Sequence, residues 1–449
     1  MTDRPGTTGF VPRTPVPSVM ISTTVPASTL APTALSATGI LSLSTASLLK
    51  KAAYHGTDDR IILDFGTFSC KAGFSWEPAP RHAFVPGLAE RTLGSASGNH
   101  MSPYLIEHQS SARYSSFLAS VLRTIFNQIL LTDAKNKHVV ICESLLAPLE
   151  LKRTLASILF YRFIVKSISF VPSPYVALMA TGQTTGLVID CGFKETCVLP
   201  VVSGFSLIAC SKSVSLAGCC VTARLRTLVR KHGHIVERES DASRDIDVDS
   251  NPIHLLDNMS DLFWETLKTT VVVAHPDRAD WRSYMIVNAN TNAVENQSDP
   301  RTYLSATLNS FHTIKFPTWV AHAAVDVLFE GNEEGESLQS CLLRTLLKCP
   351  IATRTDLLQN AFVCGGTFSI PGLEDRLKYE VEHLADESPE FHNVRRLASK
   401  MNYINSPFQP SQRAWVGGSL VGSVKIKTAF DVSREEFIEH GTVPDWSMI

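Results

Sequence analysis

The sequence predicts an α/β protein of two related lobes. At 449 residues the chain is longer than one hydrophobic core usually organises. Short apolar runs bounded by Gly, Asp and Pro alternate with segments whose apolar residues recur at helical spacing, which is the pattern of strand–helix units. A strand, Asp, turn, strand sequence opens each half. It reads Arg60-Ile-Ile-Leu-Asp-Phe-Gly66 then Ser69-Cys-Lys-Ala-Gly-Phe74, and later Gly186-Leu-Val-Ile-Asp-Cys-Gly192 then Thr196-Cys-Val-Leu-Pro-Val201.

After the first strand pair, Phe117, Leu118, Val121, Leu122, Ile125, Ile129 and Leu130 predict a helix over 117–131. A strand at His138–Cys142, a helix around 149–160, a strand at Ser167–Phe170 and a helix from Pro174 to Ala180 complete the first half. In the second half, the strand Asn360–Cys364 runs into Gly365-Gly366-Thr367, and a helix follows from Pro371. Ala414–Ser419 is expected to lead into a further helix. Ser433-Arg-Glu-Glu436 is a capping box that opens a short one. The polar stretches His232–Asn251 and His275–Tyr303 read as surface insertions, and Glu333, Glu334 and Glu336 as a solvated loop. Trp76, Trp264 and Trp415 read as packing residues.

Composition excludes several classes. A formal net charge of -2 lacks the basic surplus of a nucleic-acid binder, and 44% apolar residues are too many for a mostly disordered chain. No apolar stretch is long enough to span a bilayer. Ten cysteines without a CxxC pair read as buried, reduced thiols, and the fourteen histidines show no metal-binding spacing, so no metal site is expected. Residues 1–56 are dominated by Ser, Thr, Pro and Ala and read as a disordered tail. Too few arginines and too many prolines argue against a targeting segment.

Three glycine-bearing turns after strands carry the functional signal: Asp64-Phe-Gly66, Asp190-Cys-Gly192 and Gly365-Gly366-Thr367. In this order they resemble the phosphate-1, phosphate-2 and adenosine motifs of the actin and sugar-kinase ATPase fold. Hairpin turns from opposite lobes can offer backbone N–H groups to phosphates, carboxylates at the strand ends can orient waters around Mg²⁺, and a Gly-Gly turn permits close approach. Cys70–Phe74 with Ala79-Pro-Arg81, Tyr175–Gly186, Leu347–Pro350, Arg354–Leu357, Gly365–Gly372 and Trp415–Ser419 are similar, in order and spacing, to actin itself. The likeness covers most of 58–449, and on it the chain is identified as a member of the actin family.

The resemblance implies an actin-like ATPase fold, with two related lobes around a nucleotide cleft and a reduced small subdomain. Lobe I would span 57–185, lobe II 186–360, and 361–449 would carry the adenosine-side motif and the return to lobe I. It implies ATP or ADP with Mg²⁺, contacted by Asp64, Gly66, Thr67, Lys71, Asp190, Gly192, Lys268, Gly365, Gly366 and Thr367. On local pattern alone, Lys268 reads as a solvated helix lysine.

The departures point away from catalysis. Phe65 and Phe68 replace a small polar residue and a glycine in the first turn, and Phe193, Lys194 and Glu195 replace the Asp-Gly that completes the second. Ser173 and Cys197 stand where the family places a glutamine and a histidine that position the attacking water. Phosphoryl transfer depends on such positioning, so hydrolysis is expected to be absent or negligible. The interval from Pro86 to Phe117 is shorter than the family's outer subdomain, which receives the next filament subunit. The pattern resembles the actin-related subunit at the pointed end of dynactin. That implies a cytoplasmic, cytoskeletal cap whose partners are dynactin's actin-like filament subunits and its other pointed-end subunits, with dynein indirectly. A nuclear actin-related module of a chromatin-remodelling complex and a polymerising ATPase are the rival expectations.

Overall fold

The computed structural model describes residues 60–86, 111–237, 255–276, 303–309, 312–424 and 431–445. The tail, most of the Pro86–Phe117 interval and most of both polar insertions lie outside the described residues.

The first lobe is built on a six-stranded sheet. β1 (Ile61–Phe65), β2 (Cys70–Phe74) and β3 (His82–Phe84) form an antiparallel meander. β4 (His138–Glu143) and β5 (Ser167–Pro172) add parallel strands beyond β1. All five side chains of β1 are buried, as expected of a central strand covered on both faces.

The second lobe repeats the arrangement. β6 (Gly186–Cys191) pairs antiparallel with β7 (Thr196–Val202), which continues into β8 (Phe205–Ser206) and also pairs with β9 (Lys212–Val214). β13 (Ala361–Cys364) lies parallel to β6 on its other side. Thus β1 and β6 each have an antiparallel hairpin partner on one edge and a parallel strand on the other. Their penultimate aspartates are flanked alike: Asp64 by Lys71 and Cys142, Asp190 by Cys197 and Cys364. A small antiparallel sheet, β10 (His234–Glu237), β12 (His312–Pro317) and β11 (Tyr303–Thr307), extends this lobe.

The helix Ser173–Met179 joins the lobes. Its Ala177 and Leu178 share one core with β1, β4 and β5 and with Val188, Leu199 and Phe362 of the second sheet. The helix Leu373–Glu387 packs in the second core, and the chain returns to the first lobe at the helix Arg413–Ser423. There Trp415 Nε1 donates to the Ile62 carbonyl at 3.2 Å. β14 (Asp431–Ser433) then pairs antiparallel with β5 and closes the sheet edge.

Several local expectations are corrected. The 117–131 helix begins at Ser111 and ends in a π-helical turn over Ile125–Ile129. Ala414–Ser419 lies inside its helix rather than before it. The stretch after His232 opens with strand β10. Trp264 and Trp415 are fully buried, but Trp76 is exposed. Glu336 is half-buried and ion-paired with Lys212 and Arg344, while Glu333 and Glu334 are exposed. All ten cysteines are free thiols, seven buried and three half-buried. Among the described residues no helix is long and apolar enough to cross a membrane. The Ser433–Glu436 capping box is present in full at the start of the helix Arg434–His440.

Candidate functional site

The strand ends of the two lobes converge on a cavity of about 400 Å³. All ten residues singled out from the sequence line it: Asp64, Gly66, Thr67 and Lys71 from the first lobe, Asp190, Gly192 and Lys268 from the second, and Gly365, Gly366 and Thr367 from the turn after β13. Ser173 and Cys197 line it as well.

Each turn is fixed by its own backbone. Gly66 N–H donates to the Ser69 carbonyl at 3.1 Å, and Gly192 N–H to the Glu195 carbonyl at 3.0 Å, so both close their own hairpins. Gly365 sits at φ +93°, where a Cβ would come within 2.2 Å of the Cys191 carbonyl oxygen; only glycine fits there. At Gly366 a Cβ would meet nothing within 4 Å, which leaves open space on the cavity side. Thr367 Oγ1 donates to the Gly192 carbonyl at 2.6 Å and ties the third turn to the second.

The charges are largely committed to one another. Lys71 Nζ is 2.7 Å from Asp64 Oδ2. Burial opposes the lysine's charge, but the Asp64 carboxylate outweighs it and holds the lysine above its ordinary range. Lys268 is buried rather than solvated. Its ammonium donates to Glu265 Oε2 at 2.6 Å and to the Gly218 carbonyl at 3.1 Å. Asp190 is pushed up to about 6 by burial and by the Asp64 and Glu195 carboxylates. Burial, reinforced by Asp190 and Glu195, also drives the Cys197 thiol well above its usual range, so it stays neutral and cannot act as an imidazole base.

A family model described as Actin matches residues 57–261 and 290–444.

The chain belongs to the actin family.

It is 24% identical over 440 residues to Actin-related protein 10 of Dictyostelium discoideum, an alignment covering 87% of this chain and 89% of that protein. It is 22% identical over 408 residues to Putative actin-29 of the same organism, covering 85% of this chain and 95% of that protein.

Judged as an actin-family nucleotide cleft, the two ends of the cavity differ. The end formed by Gly366, Thr367, Lys268 and Glu265 is open beside Gly366 and lined by polar groups. The end between the hairpin turns does not fit a magnesium-bound triphosphate. Phe68 and Phe193 project from the two turns onto each other, with ring centroids 4.8 Å apart. Phe193 fills this end, whereas Lys194 is exposed and does not line the cavity. Among the described residues no three His, Cys, Asp or Glu side chains are grouped to hold a metal ion.

Sequence reasoning missed several cavity residues. Glu265 holds Lys268 and also accepts from Thr222 Oγ1. Its only signal was its place one turn before Lys268. Ser144, just past β4, donates to Glu195 Oε1 at 2.6 Å, and nothing in the local sequence marks that contact between lobes.

Proposed function

We propose that this chain is a non-catalytic structural subunit that caps the pointed end of dynactin's actin-like filament and so supports dynein-driven transport along microtubules. The observation that carries the reading is the extent of the likeness to an actin-related protein, which runs over 87% of this chain and 89% of that relative. A cap that docks by shape must keep the whole fold, and need not keep the chemistry of the cleft.

The cleft agrees with a structural role. Ser173 and Cys197 occupy the water-positioning places, and a neutral buried thiol neither orients nor activates water as an imidazole does. Any nucleotide held at the Gly366–Lys268 end would act as a structural element. The protein would work in the cytoplasm, at the cytoskeleton, among dynactin's filament and pointed-end subunits.

The deciding experiment is native affinity purification of the tagged chain followed by identification of the associated proteins. Dynactin subunits are expected. Remodeller ATPases in their place would assign the chain to a nuclear complex, and recovery of the chain without dynactin subunits would overturn the capping role.

A further inference from the structure

The two hairpin turns that face each other across the cleft are joined by their own side chains. Phe68 on the β1–β2 turn and Phe193 on the β6–β7 turn meet at 4.8 Å with an interplanar angle of 40°, within the range of favourable aromatic pairs. Both are half-buried and both line the cavity. Phe193 is also covered from the second lobe, where Lys268 Nζ stands 5.5 Å from its ring centroid. A polar link runs beside the aromatic one: Ser144 Oγ, from the first lobe, donates to Glu195 Oε1 on the second-lobe turn at 2.6 Å.

The lysines of the same place are already engaged. Lys71 is paired with Asp64 and Lys268 with Glu265, and Asp190 and Glu195 form no ion pair among the described residues. Neither lysine that lines the cavity can therefore meet a phosphate without giving up its carboxylate. The rings add a steric bar, because a phosphate held between the turns needs the turns apart.

We propose that Phe68, Phe193, Ser144 and Glu195 form a built-in clasp that holds the two lobes closed and fills the phosphate end of the cleft, so that closure requires neither Mg-ATP nor Mg-ADP. The side chains do the bridging that a nucleotide's phosphates and their cation would otherwise do. This inference does not depend on which complex the chain enters, so it stands or falls separately from the capping role.

The test uses the purified full chain. Its unfolding temperature is expected to be the same in Mg-ATP, in Mg-ADP and in chelator, and denaturation should release far less than one nucleotide per chain. A ligand that bound the native state well below its working concentration would raise that temperature by mass action. One nucleoside di- or triphosphate released per chain, or a rise of several degrees in Mg-ATP that chelation reverses, would overturn the proposal.

The double variant Phe68→Gly with Phe193→Gly should unfold several degrees lower and regain part of that loss in Mg-ATP. Should it fail to fold, Ser144→Ala removes the polar link and keeps both rings. A fall of a degree or more, with no rescue by Mg-ATP, is then expected. An unchanged unfolding temperature in Ser144→Ala would also overturn the clasp.

Discussion

Gly417 lies so close to Val176 that a Cβ on the glycine would sit 2.0 Å from the Val176 carbonyl oxygen. The helix Arg413–Ser423 therefore rests directly on the backbone of the helix Ser173–Met179, which joins the lobes. Neighbouring Gly418 and Gly422 permit the same closeness against Cys142 and Ile62 of the first sheet.

Gly417→Ala is accordingly expected to destabilise the protein by about 3 kcal/mol, the upper range for forcing extra volume into a packed core. The helix-propensity gain of about 1 kcal/mol only partly offsets this. Gly366→Ala, whose added methyl meets nothing within 4 Å, should change stability by less than about 0.5 kcal/mol. Denaturant unfolding of the two variants side by side measures the contrast.

Arg376 is 1% exposed and donates to Glu380 Oε1 at 2.8 Å, Asp326 Oδ1 at 2.9 Å and the His275 carbonyl at 2.9 Å. Arg376→Ala leaves two buried carboxylates facing a void, and a loss of about 3–5 kcal/mol is expected from breaking a buried pair on one side only. Denaturation monitored by tryptophan fluorescence would report it, since Trp264 and Trp319 lie in the same core as the Leu373–Glu387 helix.

Asp190 gives stability a sign opposite to the usual carboxylate. Its folded-state value, about 6, lies above its ordinary 3.8, so the folded protein holds the proton more tightly than the unfolded chain does. The favourable contribution is complete below about pH 4 and is lost as pH rises to about 6. With discount for the open side of the cavity, the cost at neutral pH is on the order of 2 kcal/mol. Asp190→Asn should match wild type at pH 4 and exceed it at pH 7, as measured by urea unfolding at each pH.

Phosphate release from Mg-ATP by the purified protein is expected to be no faster than in buffer alone. On the proposed reading Ser173 and Cys197 stand where the family positions the attacking water, and correct positioning supplies most of the acceleration in phosphoryl transfer. Turnover at the rate of a filament-forming actin would refute the non-catalytic reading.

Much of the fold could be read from local pattern, because its signals are local. The Asp64 and Asp190 strand ends, the glycines after β13 and the Ser433 cap each depend on a few neighbouring residues, and all are found in place. What could not be read depends on residues far apart in the chain. Lys268 looks solvated on its helix until Gly218 and Glu265 are seen to enclose it. Glu336 looks like one of three loop acids until Lys212 and Arg344 close on it. Phe68 and Phe193 were visible as departures from a motif, but their contact exists only once both lobes are assembled.

The last strand bears on how the protein is made. β14 completes the first sheet from residues 431–433, and Trp415 fills a core with Ile62 and Val140. The first lobe thus cannot finish folding until residues 415–433 have left the ribosome. During synthesis β5 presents an unpaired edge, and the face of Ile62 and Val140 lacks its cover, while the entire second lobe is still being added. Contacts of such long sequence separation are slow to form and leave sticky surface waiting. Truncation before Trp415 should therefore show up first as loss of soluble yield, before any docking function is lost.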